Sequence, residues 1–380
     1  MNPGRASRAR GALLAALLAV LGTPASAEET GAEAEGQEAA RVREQAAEED
    51  PITQQQEQAR VEAETGPPEP VPAEPNEFDL YGSLRVRYRG EAGDSAFSDG
   101  GSRVGLQGRY QLLPRKWLFA RAEGGFNLLD EFDALVNPGS NGPDEGRGDT
   151  FFRRLLYAGY ESPNLFLVFG KTWSVYYKVS SFTDRFAGTG GQASGTYNAG
   201  TDGGFTGTGR AEQALQSRLL IDFLPESWGI APFSLNIQFQ DRRPIPQVDG
   251  QRYGNALGLS ALLATRANFS LGLAYNHAFV PDPDQPELRD AGIDGDAQAL
   301  VLGARWFDDN WYLASVASRL NNHEATDEGK YFDAWGWEVY AQHRLHGNWW
   351  VTGGWNLLRP DADQDLAGDY RIRFGVLGLR

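Results

Sequence analysis

Arginine recurs on short alternating stretches of this 380-residue chain: Arg85 and Arg87, Arg109, Arg121, then Arg371 and Arg373. A guanidinium stays charged at physiological pH and offers five N–H donors. A face carrying such groups can attract and orient anions. The other chemistry-bearing residue types do not converge. Cysteine is absent, which excludes disulfides and thiolate metal or redox sites. Of the four histidines, His343 and His346 are three apart, on opposite faces of a strand, so no shared metal is expected. His277 and His323 fall near segment ends and read as interface or loop residues. Asp282, Asp284, Asp294 and Asp296 lack the twelve-residue calcium-loop pattern and its closing Glu, and read as a solvated acidic loop. The run from Gly188 to Gly195 lacks the Lys-Ser/Thr and the following helix of a phosphate loop. No Ser stands with a His and an acid in a recognisable triad order. No metal, no cofactor and no enzymatic chemistry is therefore expected.

The arginines lie on a clear period of two. Phe78, Leu80, Leu84, Val86 and Tyr88 share one face, opposite Asp79, Ser83, Arg85 and Arg87. Val104, Leu106, Tyr110 and Leu112 oppose Arg103, Gln107, Arg109 and Gln111, and Leu118, Ala120 and Ala122 oppose Arg121 and Glu123. Trp335, Trp337, Val339 and Ala341 oppose Glu338, Tyr340, Gln342 and Arg344. Each is the signature of a strand with one apolar and one polar face. Fourteen such segments are legible, starting near Phe78, Arg103, Trp117, Phe151, Leu165, Arg210, Phe233, Tyr253, Asn268, Ala297, Trp311, Phe332, Trp349 and Asp369. About ten residues at ~3.3 Å each, tilted ~45°, cover the ~25 Å apolar band of an outer membrane.

The connections alternate in kind. Short turns such as 113–116, 161–164, 265–267, 308–310 and 346–348 separate longer, acidic, Gly/Pro-rich stretches such as 130–150 and 281–296. Trp117, Trp306, Trp311, Tyr312, Trp335, Trp349 and Trp350 sit at segment ends, as in an interfacial aromatic girdle. A soluble β-sandwich also alternates, but its polar face would not carry repeated Arg. The expected fold is all-β, a transmembrane antiparallel β-barrel with a water-filled lumen. A mean hydropathy of -0.46 is compatible with it, because each strand is only half apolar.

The first 77 residues belong to neither pattern. Arg5, Arg8 and Arg10 precede an apolar run from Ala12 to Leu21 and then Ala25-Ser26-Ala27, the layout of a signal peptide cleaved after Ala27. Residues 28–77 hold fifteen acids against three Arg, and much of the formal charge of -16 resides there. So acidic and apolar-poor a stretch reads as a disordered or transiently helical extension ahead of the barrel at 78–380. A pI near 4.8 argues against nucleic acid as a partner.

Several short motifs then resemble, in order, the Gram-negative general porins, the trimeric sixteen-stranded outer-membrane channels. Asp79-Leu80-Tyr81-Gly82 looks like their first strand, Ser102 to Gly108 like the second, and Arg154 to Gly159 like the fourth. Phe169-Gly170-Lys171, Thr183-Asp184 and Thr208-Gly209-Arg210-Ala211 resemble the start, middle and end of the porin loop that folds into the barrel. The resemblance implies a basic ladder at Arg103, Arg154 and Arg210, a loop acid at Asp184 and a lumen glutamate at Glu123, together forming a pore constriction. Arg85, Arg87, Arg109 and Arg121 are further lumen-facing candidates. Ser83 replaces the family's first-strand Lys, and the second loop acid falls near Gly188, so the loop is less acidic than the family's.

The implied function is passive diffusion of small hydrophilic solutes and ions through a homotrimeric pore embedded in outer-membrane lipid. A substrate-selective channel for sugars or anions is the alternative, and a plugged structural or adhesive barrel a third. The family's sixteen strands and aromatic terminus, set against about fourteen segments and Gly378-Leu379-Arg380, lead to the expectation of a C-terminally truncated barrel.

Overall fold

The computed structural model describes residues 76–91, 94–99, 101–126, 151–163, 165–185, 191–221, 229–230, 232–326, 328–346, 349–361, 364 and 372–379. The expected signal peptide, nearly all of the acidic extension, the 130–150 connection and Arg371 lie outside them.

Sixteen strands are described: β1 (Glu77–Ser83), β2 (Val86–Glu91), β3 (Asp94–Asp99), β4 (Arg103–Leu113), β5 (Lys116–Phe126), β6 (Phe151–Glu161), β7 (Leu165–Trp173), β8 (Arg210–Ile221), β9 (Phe233–Gln240), β10 (Ala256–Ala264), β11 (Phe269–Ala278), β12 (Ala297–Phe307), β13 (Trp311–Ala325), β14 (Tyr331–His346), β15 (Trp349–Pro360) and β16 (Ile372–Leu379). Fourteen of them form one antiparallel meander in the order β1-β4-β5 and onward to β16. β2 and β3 form a separate hairpin between its first two members. Among the described residues β1 is bonded to β4 and β16 to β15, and the two do not pair with each other.

The fourteen segments read from the sequence match these fourteen strands closely, because period-two alternation is a local signal. The ends differ. The first segment stops at Ser83 rather than running to Tyr88. The chain leaves the sheet at Arg85, whose backbone N–H donates to Ser102 Oγ (2.9 Å) and whose Nε donates to Ser83 Oγ (3.0 Å). Arg87 therefore belongs to the hairpin and not to the main sheet, and its side chain lies outside the described residues. Tyr253 precedes β10, buried in a loop.

The two faces of the sheet differ as alternation requires. Leu106, Leu156, Phe169, Leu215, Leu273 and Leu302 all stand exposed on one face, Phe169 at 62% and Leu302 at 57%. So many large apolar side chains on one surface suit lipid rather than water. Gln216, Asn236, Gln238, Glu338 and Asn356 are buried on the other. Three of the expected girdle aromatics belong to that inner face. Trp117 shares the alternating row of Phe119 and Arg121 and lies under Arg109, 4.2 Å from its guanidinium carbon. Tyr312 is buried and donates to Phe182 O (2.8 Å). Trp350 pairs with Arg344 across β14 and β15. Trp335 and Trp349 do face outward.

What fills the concave side is the β7–β8 connection, residues 174–209. It carries α1 (Tyr177–Ser180) and a 3-10 turn at Asn198–Gly200. Tyr176, Val179, Phe182 and Ala193 pack into one buried apolar cluster with Ala274, Ala299, Val301, Val316, Leu320 and Ala334 from β11 to β14. Burying each of the larger side chains is worth about 1.5–3 kcal/mol. The wall leaves room for the loop by using small residues. A Cβ on Gly336 would lie 1.8 Å from Ala193 O, and one on Gly272 2.7 Å from Val179 Cγ2. A single segment touching β9, β12, β13 and β14 shows that the sheet curls around it.

A second buried cluster caps one end. Ile245, Val248 and Tyr253 from the β9–β10 connection meet Leu288, Ala291 and Ile293 from the β11–β12 connection, with Tyr331 of β14. Leu288 lies on α2 (Pro286–Asp290). Tyr331 donates its hydroxyl to Pro246 O (2.8 Å), tying three connections together.

Candidate functional site

The site is the inner face of β4 to β9 together with the infolded loop. At its centre Glu123 of β5 accepts three bonds: from Arg154 Nε (2.7 Å), Arg121 Nη2 (2.9 Å) and the Tyr81 hydroxyl (2.7 Å). A register shift between Glu123 and Gly124 inserts an extra residue in β6 and aims Arg154 at this carboxylate. Two guanidiniums on one carboxylate leave a net positive charge. The positive charges of Arg210 and Arg103 both act on Arg154, so the three arginines carried over by resemblance share one region.

Asp184 of the loop is held by two phenols, Tyr177 (2.9 Å) and Tyr197 (2.6 Å). Tyr197 feels the negative charge of Asp184 and the positive charges of Arg210 and Arg154. Burial and the Asp184 charge push its phenol well above the ordinary range, so it stays a neutral donor. Arg210 lies 3.7 Å from Asp202 and 4.8 Å over the Trp173 ring, which stacks on Tyr177 at 3.9 Å. Lys171 bridges Asp202 and Glu212, both at 2.8 Å, and Arg243 lies 3.7 Å from Glu212. The expected second loop acid near Gly188 lies outside the described residues.

Of the further lumen candidates, Arg121 faces inward beside Glu123, and Arg109 faces inward to Glu161 at 3.2 Å. Arg218 of β8 shares Glu161 at 3.4 Å. Arg85 sits at the exit from β1. The side chains of Arg87 and Arg373 lie outside the described residues.

Sequence reasoning missed the residues that fasten the loop. Glu338 accepts from Thr183 Oγ1 (2.6 Å), Ala193 N (3.0 Å) and Asn356 Nδ2 (2.6 Å). His323, expected as an interface or loop residue, lies in β13 and is buried with Nε2 2.8 Å from Gly195 O. Glu324 accepts from Ala199 N at 3.3 Å. The only available signal was an acid on the polar face of its strand, which does not name a partner 145 residues away. Lys171, Lys178, Asp202 and Glu212 were missed likewise.

The acidic β11–β12 connection divides among separate partners. Asp296 pairs with His277 Nε2 (2.8 Å), Asp294 accepts from Asn322 Nδ2 (3.1 Å) and Asp284 pairs with Arg289. Among the described residues no three His, Asp or Glu side chains cluster as metal ligands, and no helix is long and apolar enough to cross a membrane.

Comparisons place this architecture. A family model described as Gram-negative porin matches residues 14–369. The fold is similar to that of Salmonella typhi OmpF in complex with daunomycin, with TM-score 0.60, 19% identity, and 80% of this chain and 85% of that one covered. It is also similar to an anion-selective porin from Comamonas acidovorans, with TM-score 0.55, 17% identity, and coverage of 80% and 84%. A search of curated proteins returned no match. With an apolar outer face, a charged inner face and a loop folded against the inner one, the chain belongs to the Gram-negative porins, outer-membrane β-barrel pores for passive diffusion.

Proposed function

We propose that the Arg103, Arg154 and Arg210 group, facing Asp184 on the loop, is the pore constriction, with weak preference for anions among small hydrophilic solutes. The observation that supports it is the shared carboxylate: Glu123 is engaged by both Arg154 and Arg121, so excess positive charge remains beside the loop. Opposed charges across a narrow, low-dielectric-walled gap orient dipolar solutes and disfavour apolar ones. Acidic outer connections still concentrate cations at the mouth, and salt screens them beyond ~8–10 Å. Anion preference is therefore expected at high salt, drifting toward cations at low salt. Reversal potentials across planar bilayers at both ionic strengths test this, and cation preference at both would overturn it.

The chain acts without covalent chemistry, as the channel family to which it belongs implies. It is cleaved after Ala27, carries an acidic extension to residue 77, and assembles as a homotrimer in outer-membrane lipid. Intact-mass measurement of the exported protein and gel mobility with and without boiling test these two features.

A further inference from the structure

A cavity of about 270 Å³ lies beneath the infolded loop, and Lys178 of the loop lines it together with Arg121 and Tyr157. The Lys178 side chain is buried, yet its ammonium finds only Asn236 Oδ1 (2.9 Å) and the face of Phe166 (5.9 Å to the ring centre). Among the described residues no carboxylate lies within ion-pair distance of it. An ammonium has three donors, and a buried charge without a counter-charge is unfavourable. Next to it Arg109 and Arg218 both approach the Glu161 carboxylate, at 3.2 and 3.4 Å, which leaves Lys178 as the cation with no carboxylate beside it among the described residues.

The same cavity offers aromatic faces. Phe119 and Phe166 stack at 5.0 Å, and Trp173 also lines the cavity. The volume falls just below the ~300–1,000 Å³ of drug-sized sites, which suits a small solute. Hydrated inorganic anions gain nothing from ring faces, and neutral sugars leave the ammonium unanswered.

Resting on the pore reading above, we infer that this cavity is a solute-binding subsite for small aromatic carboxylates, the carboxylate meeting Lys178 and the ring lying against Phe119 and Phe166. The subsite makes the pore substrate-selective for that class while leaving general diffusion of other solutes in place.

Burial, reinforced by the Arg218 charge, pulls the Lys178 ammonium down to about 7. Other charged groups facing the cavity are Arg109 of β4, Arg121 of β5, Glu161 of β6, and Glu77 and Asp79 of β1. Asn236 of β9 is neutral, and Arg305 of β12 stacks on Phe182 of the loop. An anion stabilises the charged ammonium, so binding takes up a proton and weakens as pH rises through about 7.

The test uses the purified full-length pore in planar bilayers, with benzoate, cyclohexanecarboxylate and acetate titrated against a chloride current. Benzoate should reduce the current saturably and at the lowest concentration of the three, with an apparent Kd about tenfold weaker at pH 8 than at pH 6. Lys178→Met should abolish the saturable effect and its pH dependence, and Phe166→Leu should remove the advantage of benzoate over acetate. Equal, non-saturating effects of all three acids, or benzoate block unchanged in Lys178→Met, would overturn the subsite. An absence of conductance would overturn the pore reading instead, so the two failures are distinguishable. Arg319→Gln, on the outer face, controls for handling of variants.

Discussion

Arg154 Nε donates to Glu123 Oε1 over 2.7 Å, joining the extra residue of a bulge in β6 to the inner row of β5. Both groups are buried. Such a pair is held less by its own Coulomb gain than by the penalty of leaving either charge alone. Arg121 and Tyr81 share the same carboxylate, so removal of Arg154 does not strand Glu123.

From this follows a selectivity prediction of opposite signs. Arg154→Gln should shift the reversal potential toward cations and slightly raise conductance, while Glu123→Gln should shift it toward anions. A unit charge some 5 Å from the ion path is worth about 1 kcal/mol in a water-filled lumen, so the permeability ratio should change up to about fivefold. Shifts of equal sign in the two variants would contradict the constriction.

The loop should be released by crowding its seat. Gly336→Val places a branched side chain where even a Cβ would lie 1.8 Å from Ala193 O. Neither backbone can yield cheaply, because Ser318 Oγ and Glu338 hold Ala193 from both sides. Single-channel recordings should show larger or multiple conductance levels. A unitary conductance identical to the unsubstituted pore would show that the loop does not narrow it.

Removing the carboxylate that fastens the loop should act in the same direction by a different route. Glu338→Leu leaves the Ala193 N–H and the Thr183 hydroxyl without their acceptor, a loss of about 1–3 kcal/mol for each buried donor. Opening noise should rise, and amide exchange at residues 191–196 should quicken. Retained protection there would show that the apolar cluster around Val179 and Phe182 suffices.

A pH dependence should follow from Lys178. Its ammonium, lowered to about 7, is charged below that pH and neutral above it. Anion preference should therefore fall between about pH 6 and 8. The sign for folding is the reverse: the unfolded lysine binds a proton up to ~10.4, so stability rises with pH between about 7 and 10. Reversal potentials at pH 6 and 8, in the parent and in Lys178→Met, check this. A flat profile in the parent would remove Lys178 from the conduction path.

The strand order and the polar and apolar faces were legible in the residue pattern, whereas the infolding of the loop came from the resemblance to the porins. Alternation is written into neighbouring positions, and antiparallel meanders pair strands in chain order, so each element specifies its own place. Arg103, Arg109, Arg121 and Glu123 could be put on the inner face for that reason. The break after Ser83, the inward turn of Trp117 and Trp350, and the bulge that aims Arg154 were decided by tertiary structure, since each depends on a partner strand. The same holds for the grip of Glu338, His323 and Glu324 on the loop, and for Lys178 against Asn236 and Phe166. Apart from Lys178 over Phe166, those contacts join residues 58 to 155 positions apart. No period or spacing encodes them, because they arise only when the sheet curls around the loop and buries both surfaces together.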